Sequence, residues 1–225
     1  MNIVIPVGGK ARRFYDAGYT EYKPFLPLNG RTMIECVIDN VRTKDCRFIF
    51  SVRPQNEARF RQLFPKETVV VDNEQSGAAS GILVAKEFIN NNEPLLLANS
   101  DQLVDVDIED FIDTDLDARI MTFKSDHPKW SYAKTCEGLV TEVAEKVVIS
   151  DHATVGIYYF KHGSDFVKAC DRMIEDQYRV NGEFYTCPSY NFMPRHKSIG
   201  IYEIKEELMH GLGTPEDYEK YKGLK

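Results

Sequence analysis

Short apolar runs alternate with amphipathic stretches through the first half of the chain. The runs are rich in β-branched and aromatic residues, which is typical of buried strands, and the stretches between them place apolar residues at helical spacing. Thr32 and Glu35 have the spacing of a capping box at a helix start. We therefore predict strands at 3–7, 47–52, 68–71 and 95–98, and helices at 32–41, 55–64 and 77–89.

In the second half of the chain, the apolar runs are joined by shorter turns. Residues 132–135 and 139–143 predict a hairpin around Cys136-Glu137-Gly138. Thr214 and Pro215 have the pattern of an N-cap and first position of a closing helix. Further strands are predicted at 119–124, 153–160 and 198–204, and a helix at 165–177. The fold class is α/β, with a mixed, mostly parallel sheet flanked by helices, Rossmann-like in its first half.

Composition narrows the class of protein. A chain of 225 residues with 43% hydrophobic residues can bury a sizeable core. The net charge of -7 argues against a nucleic-acid partner. Five scattered cysteines without a C-x-x-C pair indicate reduced thiols and no zinc site. The first residues lack a signal-peptide pattern and no apolar stretch is long enough to span a membrane, so we expect a cytoplasmic protein without a membrane partner.

Candidate chemistry is concentrated directly after the first predicted strand. Gly8 and Gly9 permit a sharp turn and a close approach to a ligand. Backbone N–H groups exposed in such a turn can bind phosphates. Cationic side chains follow at Lys10, Arg12, Arg13 and Lys23. The combination predicts a triphosphate site; the alternative is an ordinary strand-to-helix turn with solvated charges.

These residues resemble the signature of the sugar-phosphate nucleotidyltransferases, or NDP-sugar pyrophosphorylases, which reads G-x-G-[ST]-R-[FLM] and later K-P. The positions that match are Gly9, Arg13, Phe14, Lys23 and Pro24, whereas Ala11 replaces the second glycine and Arg12 replaces the small hydroxyl residue. The resemblance covers nearly the whole chain and is nearest to short nucleotidyltransferases encoded with surface-polysaccharide genes. It implies a single domain of the glycosyltransferase-A type over 1–225, with a nucleotide-binding half at 1–115 and an acceptor-binding half at 116–225.

Asp101 follows the predicted strand at 95–98, where a carboxylate suits Mg²⁺ held together with phosphates. The alternative is a turn or N-cap aspartate. The resemblance implies that Asp101 binds Mg²⁺ and that Arg13 and Lys23 join it as catalytic residues. The family's second metal-binding aspartate falls on Gly211, which leaves Glu183, Asp217 or water in that role.

The nucleotide contacts implied by the resemblance include a base-reading segment around Gly77, whose missing side chain permits close approach of the base plane. The alternative for this segment is a helix start with small packing residues. The full set of implied contacts is Pro6, Val7, Gly8, Gly9, Lys10, Arg13, Lys23, Gln75, Ser76, Gly77, Ala78, Asn99 and Ser100.

Acceptor contacts are implied by three later motifs. Glu145-Lys146 resembles the family's E-K pair, and Val155-Gly156-Ile157-Tyr158 resembles a strand that lines the substrate pocket. The segment from Gly182 to Asn191 resembles one that holds substrate hydroxyls. The implied contacts are Glu145, Lys146, Gly156, Tyr158, Glu183 and Asn191. A solvated Glu-Lys pair and a simple turn asparagine are the alternatives, and for His127 a hairpin cap is favoured over a ligand contact.

We expect an Mg²⁺-dependent nucleotidyltransferase that joins a nucleoside triphosphate to a phosphorylated small molecule, such as a sugar phosphate, and releases pyrophosphate. The short chain slightly favours a pyrimidine by analogy, and the oligomeric state stays open. One rival is a glycosyltransferase of the same general fold, which lacks support because Asp101-Gln102-Leu103 is not the D-x-D of that class. A second rival is a catalytically dead nucleotide-binding homologue, to which Ala11, Arg12 and Gly211 point.

Overall fold

A nine-stranded mixed sheet forms the centre of the structure, a computed structural model that describes residues 1–223. The strands are β1 (Asn2–Val7), β2 (Pro27–Leu28), β3 (Arg31–Thr32), β4 (Arg47–Val52), β5 (Thr68–Val71), β6 (Leu95–Ala98), β7 (Gln102–Val104), β8 (Ala118–Lys124), β9 (Ser131–Cys136), β10 (Leu139–Glu145), β11 (His152–Phe160), β12 (Ile199–Ile204) and β13 (Met209–Gly211). The main sheet has the order β5-β4-β1-β6-β11-β8-β12-β10-β9, and the pairs β2–β3 and β7–β13 form separate two-stranded sheets.

The helices cover both faces of this sheet. They are α1 (Arg12–Asp16), α2 (Met33–Asn40), α3 (Glu57–Leu63), α4 (Ala78–Leu83), α5 (Lys86–Ile89), α6 (Ile108–Ile112), α7 (Gly163–Glu175) and α8 (Pro215–Gly223), with 3-10 turns at Lys23–Phe25, Pro54–Asn56, Cys187–Phe192 and Glu206–Leu208. Among residues 1–223, none of the helices has the length and apolar character needed to cross a membrane.

The α/β class and the mixed sheet are confirmed, but the parallel character belongs to parts of the sheet. Strands β5, β4, β1 and β6 run parallel, as do β8 and β12. Strand β11 is antiparallel to both β6 and β8, and β10 is antiparallel to β9 and β12. The β9–β10 turn has positive φ at Glu137 (51°) and Gly138 (81°), which is the tight hairpin geometry that requires antiparallel strands.

Successive side chains of β1 point to opposite faces of the sheet and pack in two separate parts of the core. Ile3, Ile5 and Val7 pack in one hydrophobic cluster, and Val4 packs in the other. All four side chains are buried, since helices cover both faces of the sheet. These two parts of the core hold the strands rigidly, so that the loops at their carboxyl ends have fixed positions.

The predicted helix caps are present. Thr32 Oγ1 accepts from Glu35 N at 3.4 Å, and Glu35 Oε2 accepts from Thr32 N at 2.8 Å, which completes the capping box. Thr214 Oγ1 likewise accepts from Asp217 N at 3.1 Å at the start of α8. Hydrogen bonding by these side chains starts each helix at the expected residue because it satisfies otherwise unpaired N–H groups.

The single helix predicted at 77–89 was wrong, because the segment is divided into α4 and α5. At the break, Ala85 N bonds to Ile82 O and Phe88 N bonds to Ala85 O, both at 2.9 Å. These are the tighter bonds of a 3-10 turn, and they interrupt the α-helical ladder.

Candidate nucleotide and acceptor site

The parallel strands bring three chemically distinct loops to one edge of the sheet. Gly8 follows β1, Asp72 follows β5 and Asn99 follows β6, as expected for the ligand-binding edge of such a sheet. A first cavity of about 580 Å³ and a second cavity of about 540 Å³ open there. The two cavities share the residues Arg13, Ala78, Asn99, Asp101, Tyr185 and Gly213. They therefore meet at a common wall around Asp101.

Tyr22 stabilises the Gly8–Gly9 turn. Its hydroxyl lies 2.8 Å from Val7 O and 2.9 Å from Gly9 O, so its proton is shared between these carbonyls. Burial raises the pKa of this hydroxyl, which keeps it protonated as a donor. Ala11 takes the left-handed conformation, with φ of 51° and ψ of 26°, at the position where the signature that the chain resembles has glycine. The turn thus keeps the glycine geometry at a cost of about 1–2 kcal/mol for an L-residue.

Asp101 and Lys23 form an ion pair at the common wall. Lys23 Nζ lies 2.5 Å from Asp101 Oδ2, and the two side chains are 16% and 23% exposed. The backbone of Asp101 is fixed by a bond from Leu212 N to Asp101 O at 2.7 Å. Antiparallel pairing of β7 with β13 brings the 211–213 segment to this position. Asp101 is therefore held from two distant parts of the chain, and Lys23 contacts it directly.

Trp130 occupies the space beside Gly211, where the family's second aspartate would stand. A β-carbon built on Gly211 would lie 3.8 Å from Trp130 Cη2. Asp217 lies near, but its Oδ2 accepts from Thr214 Oγ1 at 2.9 Å. Within residues 1–223, no group of three or more His, Cys, Asp or Glu side chains has the arrangement of a metal cage. A single carboxylate at Asp101 fits Mg²⁺ that takes its remaining ligands from water and phosphates.

The loop after β5 is shaped by Asp72 and Gly77. Asp72 Oδ1 accepts from Glu74 N at 3.1 Å and from Gln75 N at 2.9 Å. Gly77 has φ of 125° and lies against the backbone of Phe184, so an added β-carbon would collide with it. Bonds from Phe184 N to Ser76 O (2.9 Å) and from Ala79 N to Phe184 O (3.0 Å) fasten the two segments together. Glycine is required at 77 for both reasons.

Gly156 lies against the side chains that follow β6. Its φ is 94°, and an added β-carbon would collide with Asn99 Nδ2 and Gln102 Oε1. Asn99 N bonds to Gly156 O at 3.0 Å, and Asn99 Nδ2 donates to Gln102 Oε1 at 3.3 Å. The glycine of the G-[IV]-Y motif thus allows β11 to approach the shared wall closely.

Glu145 and Lys146 lie on the second cavity with different partners. Glu145 is buried and accepts a hydrogen bond from Ser131 Oγ. Burial raises the pKa of Glu145 above its ordinary value, although the Ser131 bond and the Lys146 charge act in the opposite direction. Lys146 Nζ lies 2.5 Å from Tyr185 Oη and 4.3 Å from the centroid of the Tyr185 ring. The positive φ of Lys146, 58°, turns the chain sharply between these two side chains.

Most of the residues implied by the resemblance line one of the two cavities. In the first cavity are Pro6, Gly8, Gly9, Lys10, Arg13, Gln75, Gly77, Ala78, Asn99, Ser100 and Asp101. In the second are Glu145, Lys146, Gly156 and Tyr158. Their placement agrees with a division into a nucleotide part and an acceptor part, while their individual roles stay predictions.

Three residues that were expected to contact the nucleotide are placed otherwise. The side chain of Val7 is buried in the core, and its carbonyl accepts from Tyr22. The carbonyl of Ser76 accepts from Phe184 N. Lys23 reaches the site through Asp101 and is not among the lining residues of either cavity.

Two residues implied as acceptor contacts do not line the second cavity. Glu183 lines the first cavity and not the second, because its segment folds back onto the Gly77 loop. Asn191 lines neither cavity. Its Oδ1 accepts from Val143 N at 2.9 Å and its Nδ2 donates to Val143 O at 2.7 Å, so its amide is engaged with the backbone of β10. His127 is also a turn residue, since its Nδ1 accepts from Lys129 N at 3.2 Å.

Several residues that line the two cavities were not predicted from the sequence. Ser51 is on the buried strand β4, where the pattern indicates only core packing. Asp72 was not identified because the interpretation of its loop rested on Gly77. An aspartate directly after a buried strand is nevertheless the same pattern that identified Asp101. The residues missed are Ser51, Asp72, Trp130 and Ser131, whereas Tyr185 lies in the 182–191 segment that the resemblance indicated.

Comparisons with known proteins agree with this geometry. Residues 3–128 match the model of the MobA-like NTP transferase domain family. Among curated proteins, the chain is 25% identical over 114 residues to "Bifunctional protein GlmU" of Methanococcus vannielii, covering 50% of this chain and 27% of that protein. It is 22% identical over 167 residues to the protein of the same name in Methanococcus maripaludis strain C5, covering 70% of this chain and 39% of that protein. The chain thus spans well under half the length of these relatives.

Solved structures match over nearly the full chain. The nucleoside-diphosphate-sugar pyrophosphorylase from Vibrio cholerae RC9 has a TM-score of 0.81 at 26% identity, covering 98% of this chain and 99% of that one. The inositol-1-phosphate CTP transferase from T. maritima has a TM-score of 0.76 at 12% identity, covering 98% and 93%, and supports the fold alone. Since the family match takes in more than half of the chain and includes the glycine turn, Lys23 and Asp101, the chain belongs to the MobA-like NTP transferase domain family.

Proposed function

We propose that the protein joins a nucleoside triphosphate to a phosphorylated small molecule, in the class of sugar and polyol phosphates, and releases pyrophosphate. An oxygen of the acceptor phosphate attacks the α-phosphorus, the bond from the α-phosphorus to the bridging oxygen breaks, and pyrophosphate leaves. The product is a nucleoside diphosphate linked to the acceptor. No covalent enzyme intermediate is needed, because positioning and charge stabilisation dominate this chemistry.

The observation that carries the proposal is the position of Arg13. This side chain lines both cavities, and it stands where two anionic substrates would meet. A guanidinium at that point offsets the repulsion between the acceptor phosphate and the triphosphate, and it stabilises the charge that develops at the α-phosphorus.

The first cavity is assigned to the triphosphate and its base. Backbone N–H groups of the Gly8–Gly9 turn and the side chains of Lys10 and Arg13 would bind the phosphates. Tyr22 stabilises this turn, since its hydroxyl engages the carbonyls of Val7 and Gly9. The base then lies toward the Gly77 loop at the other end of the cavity.

Asp101 is proposed to hold Mg²⁺, which when bound supplies positive charge shared among the phosphate oxygens. Asp101 is paired with Lys23 at 2.5 Å. Arrival of the triphosphate offers Lys23 a second anionic partner, so Lys23 can exchange Asp101 for phosphate. The carboxylate of Asp101 then becomes available, and Lys23 carries charge toward the leaving pyrophosphate.

The second cavity is assigned to the acceptor. Lys146 would bind its phosphate, and the buried carboxylate of Glu145 would accept hydrogen bonds from its hydroxyls. Tyr185 lies between the cavities and holds the Lys146 ammonium toward the shared wall. This set of groups suits a molecule that combines one phosphate with several hydroxyls. The cytoplasmic location and the preference for a pyrimidine remain predictions.

The proposal is tested by a matrix of the four common nucleoside triphosphates against sugar phosphates and polyol phosphates, with pyrophosphate release as the readout and Mg²⁺ as the metal. We expect release only when both substrates are present. Pyrophosphate released with a triphosphate alone would indicate hydrolysis, and binding without release in every pair would favour a catalytically dead module. Transfer from a ready-made nucleotide sugar would favour the glycosyltransferase alternative.

A further inference from the structure

Two buried polar side chains form the floor of the first cavity. Ser51 is 1% exposed and Asp72 is 3% exposed, yet both line that cavity. Ser51 Oγ has no hydrogen-bond partner among the residues that the structure describes. A buried hydroxyl without a hydrogen-bond partner is energetically unfavourable, so this group indicates a ligand that supplies the missing partner.

Asp72 offers one carboxylate oxygen to the same space. Its Oδ1 is engaged by Glu74 N and Gln75 N, at 3.1 and 2.9 Å. A β-carbon built on Gly81 would lie 3.2 Å from Asp72 Oδ2 and 3.6 Å from Ser51 Oγ, and one built on Gly8 would lie 3.5 Å from the same Oδ2. Glycine at 8 and 81 therefore keeps the part of the cavity beside Oδ2 free of side chains, and Oδ2 is a strong acceptor in a desolvated position.

We propose that Ser51 and Asp72 select the nucleobase, and that they favour a base with an exocyclic amino group, cytosine above uracil and thymine. This inference rests on the proposed function and deepens it. Asp72 Oδ2 accepts from the N4 amino group of cytosine, and the Ser51 hydroxyl donates to ring N3. Uracil and thymine present a carbonyl in place of the amino group, so two acceptors would face each other in a buried site.

The expected discrimination is about 100-fold between the two pyrimidine types, because a buried acceptor that is left without a donor carries a desolvation penalty of about that size. Calorimetric binding of CMP and UMP measures it without turnover. CMP should bind more tightly than UMP by that factor. Equal binding, or tighter binding of UMP, would overturn the inference.

The decisive variant is Asp72→Asn. The amide keeps an acceptor at Oδ1 for the two loop N–H groups, and it replaces Oδ2 by a donor. The CMP-to-UMP affinity ratio should fall at least about tenfold in this variant, since the amide favours a carbonyl. Ser51→Ala should lower CMP affinity by several-fold. Asp176→Asn, at an exposed position after α7, is the matched control and should leave the ratio unchanged.

Thermal unfolding of each variant checks that the fold is kept, and if Asp72→Asn does not fold, Ser51→Ala together with the wild-type ratio carries the test. An unchanged ratio in a folded Asp72→Asn protein would overturn the assignment. The proposed function fails separately, through absence of pyrophosphate release with every triphosphate and acceptor. The two failures are distinguishable because base affinity is measured on monophosphates that cannot react.

Discussion

Lys23 donates to Asp101 across 2.5 Å, joining the K-P motif of the N-terminal segment to the carboxylate that follows β6. The pair is largely buried, with side-chain exposures of 16% and 23%. It links two residues 78 positions apart in the sequence, both of which the family resemblance marks as functional. The lysine ammonium thus lies directly against the proposed metal ligand.

Asp101→Asn should abolish Mg²⁺-dependent pyrophosphate release and leave the fold intact. The amide keeps the shape but removes the charge that holds the metal and Lys23. With glycine at 211 there is no second carboxylate at that position, so Asp101 should be indispensable. Stability should fall by about 1–3 kcal/mol, as when a charged hydrogen bond is lost. Turnover across a Mg²⁺ titration is the measurement, and near-normal rates in the variant would contradict the metal assignment.

Arg13→Ala should lower turnover far more than Arg12→Ala. Arg13 lines both cavities, whereas Arg12 lines the first alone. Removing one well-placed charge-stabilising donor costs about 100-fold in turnover, and a solvated charge costs little. Both side chains are exposed neighbours on α1, so the pair is internally matched. If Arg12→Ala proved the more damaging change, the alignment of the glycine turn with the family signature would be wrong.

Lys146→Ala should raise the acceptor's KM and lower kcat while leaving triphosphate affinity nearly unchanged. The side chain lines only the second cavity of the two and is held by Tyr185. Lys134→Ala, at an exposed position on β9, controls for the loss of a surface charge. Acceptor kinetics and calorimetric triphosphate binding on the same preparations are the readouts. Weaker triphosphate binding with normal acceptor kinetics would refute the assignment.

Glu145→Gln should stabilise the folded protein at neutral pH and impair use of the acceptor. Burial raises the pKa of Glu145, so folding disfavours its ionised form. Below the ordinary pKa of about 4.3 both states are protonated and there is no penalty. As pH rises, the unfolded state loses its proton first, so the stability of the wild type falls until the pH passes the raised pKa.

The stability gain of Glu145→Gln should therefore grow from near zero at low pH to a plateau above the raised pKa. Denaturant unfolding of both proteins across the pH range measures it. A gain that is independent of pH would show that ionisation of Glu145 is not the cause. A rise in acceptor KM should accompany the gain, since the carboxylate is proposed to bind hydroxyls.

The sequence predicted the strands and helix caps that are determined by local residue patterns. Strands β4, β5 and β6 have the predicted bounds, and the caps at Thr32 and Thr214 lie at the predicted residues. The β7–β13 pairing was missed because both strands are three residues long and lie far apart in the sequence. That pairing brings the 211–213 segment to Asp101. Local sequence patterns cannot predict such a contact.

The candidate site was predicted best where a motif sits on one loop. The Gly8–Gly9 turn and Asp101 are placed together as expected, whereas Glu183 lines the first cavity and Asn191 bonds to the backbone of β10. Their positions depend on how the 182–191 segment folds against Gly77 and β10. Ser51 was invisible for a related reason, since a polar residue in a buried strand gives no indication of which side faces a cavity.

The most direct test of the proposed reaction is ³¹P NMR of a complete mixture containing triphosphate, phosphorylated acceptor, Mg²⁺ and enzyme. We expect the triphosphate signals to give way to equal amounts of pyrophosphate and a new pair of coupled diphosphate resonances, in which one phosphorus comes from the acceptor. Adding pyrophosphate should reverse the reaction. Formation of orthophosphate or free nucleoside diphosphate, with the acceptor phosphate unchanged, would contradict it.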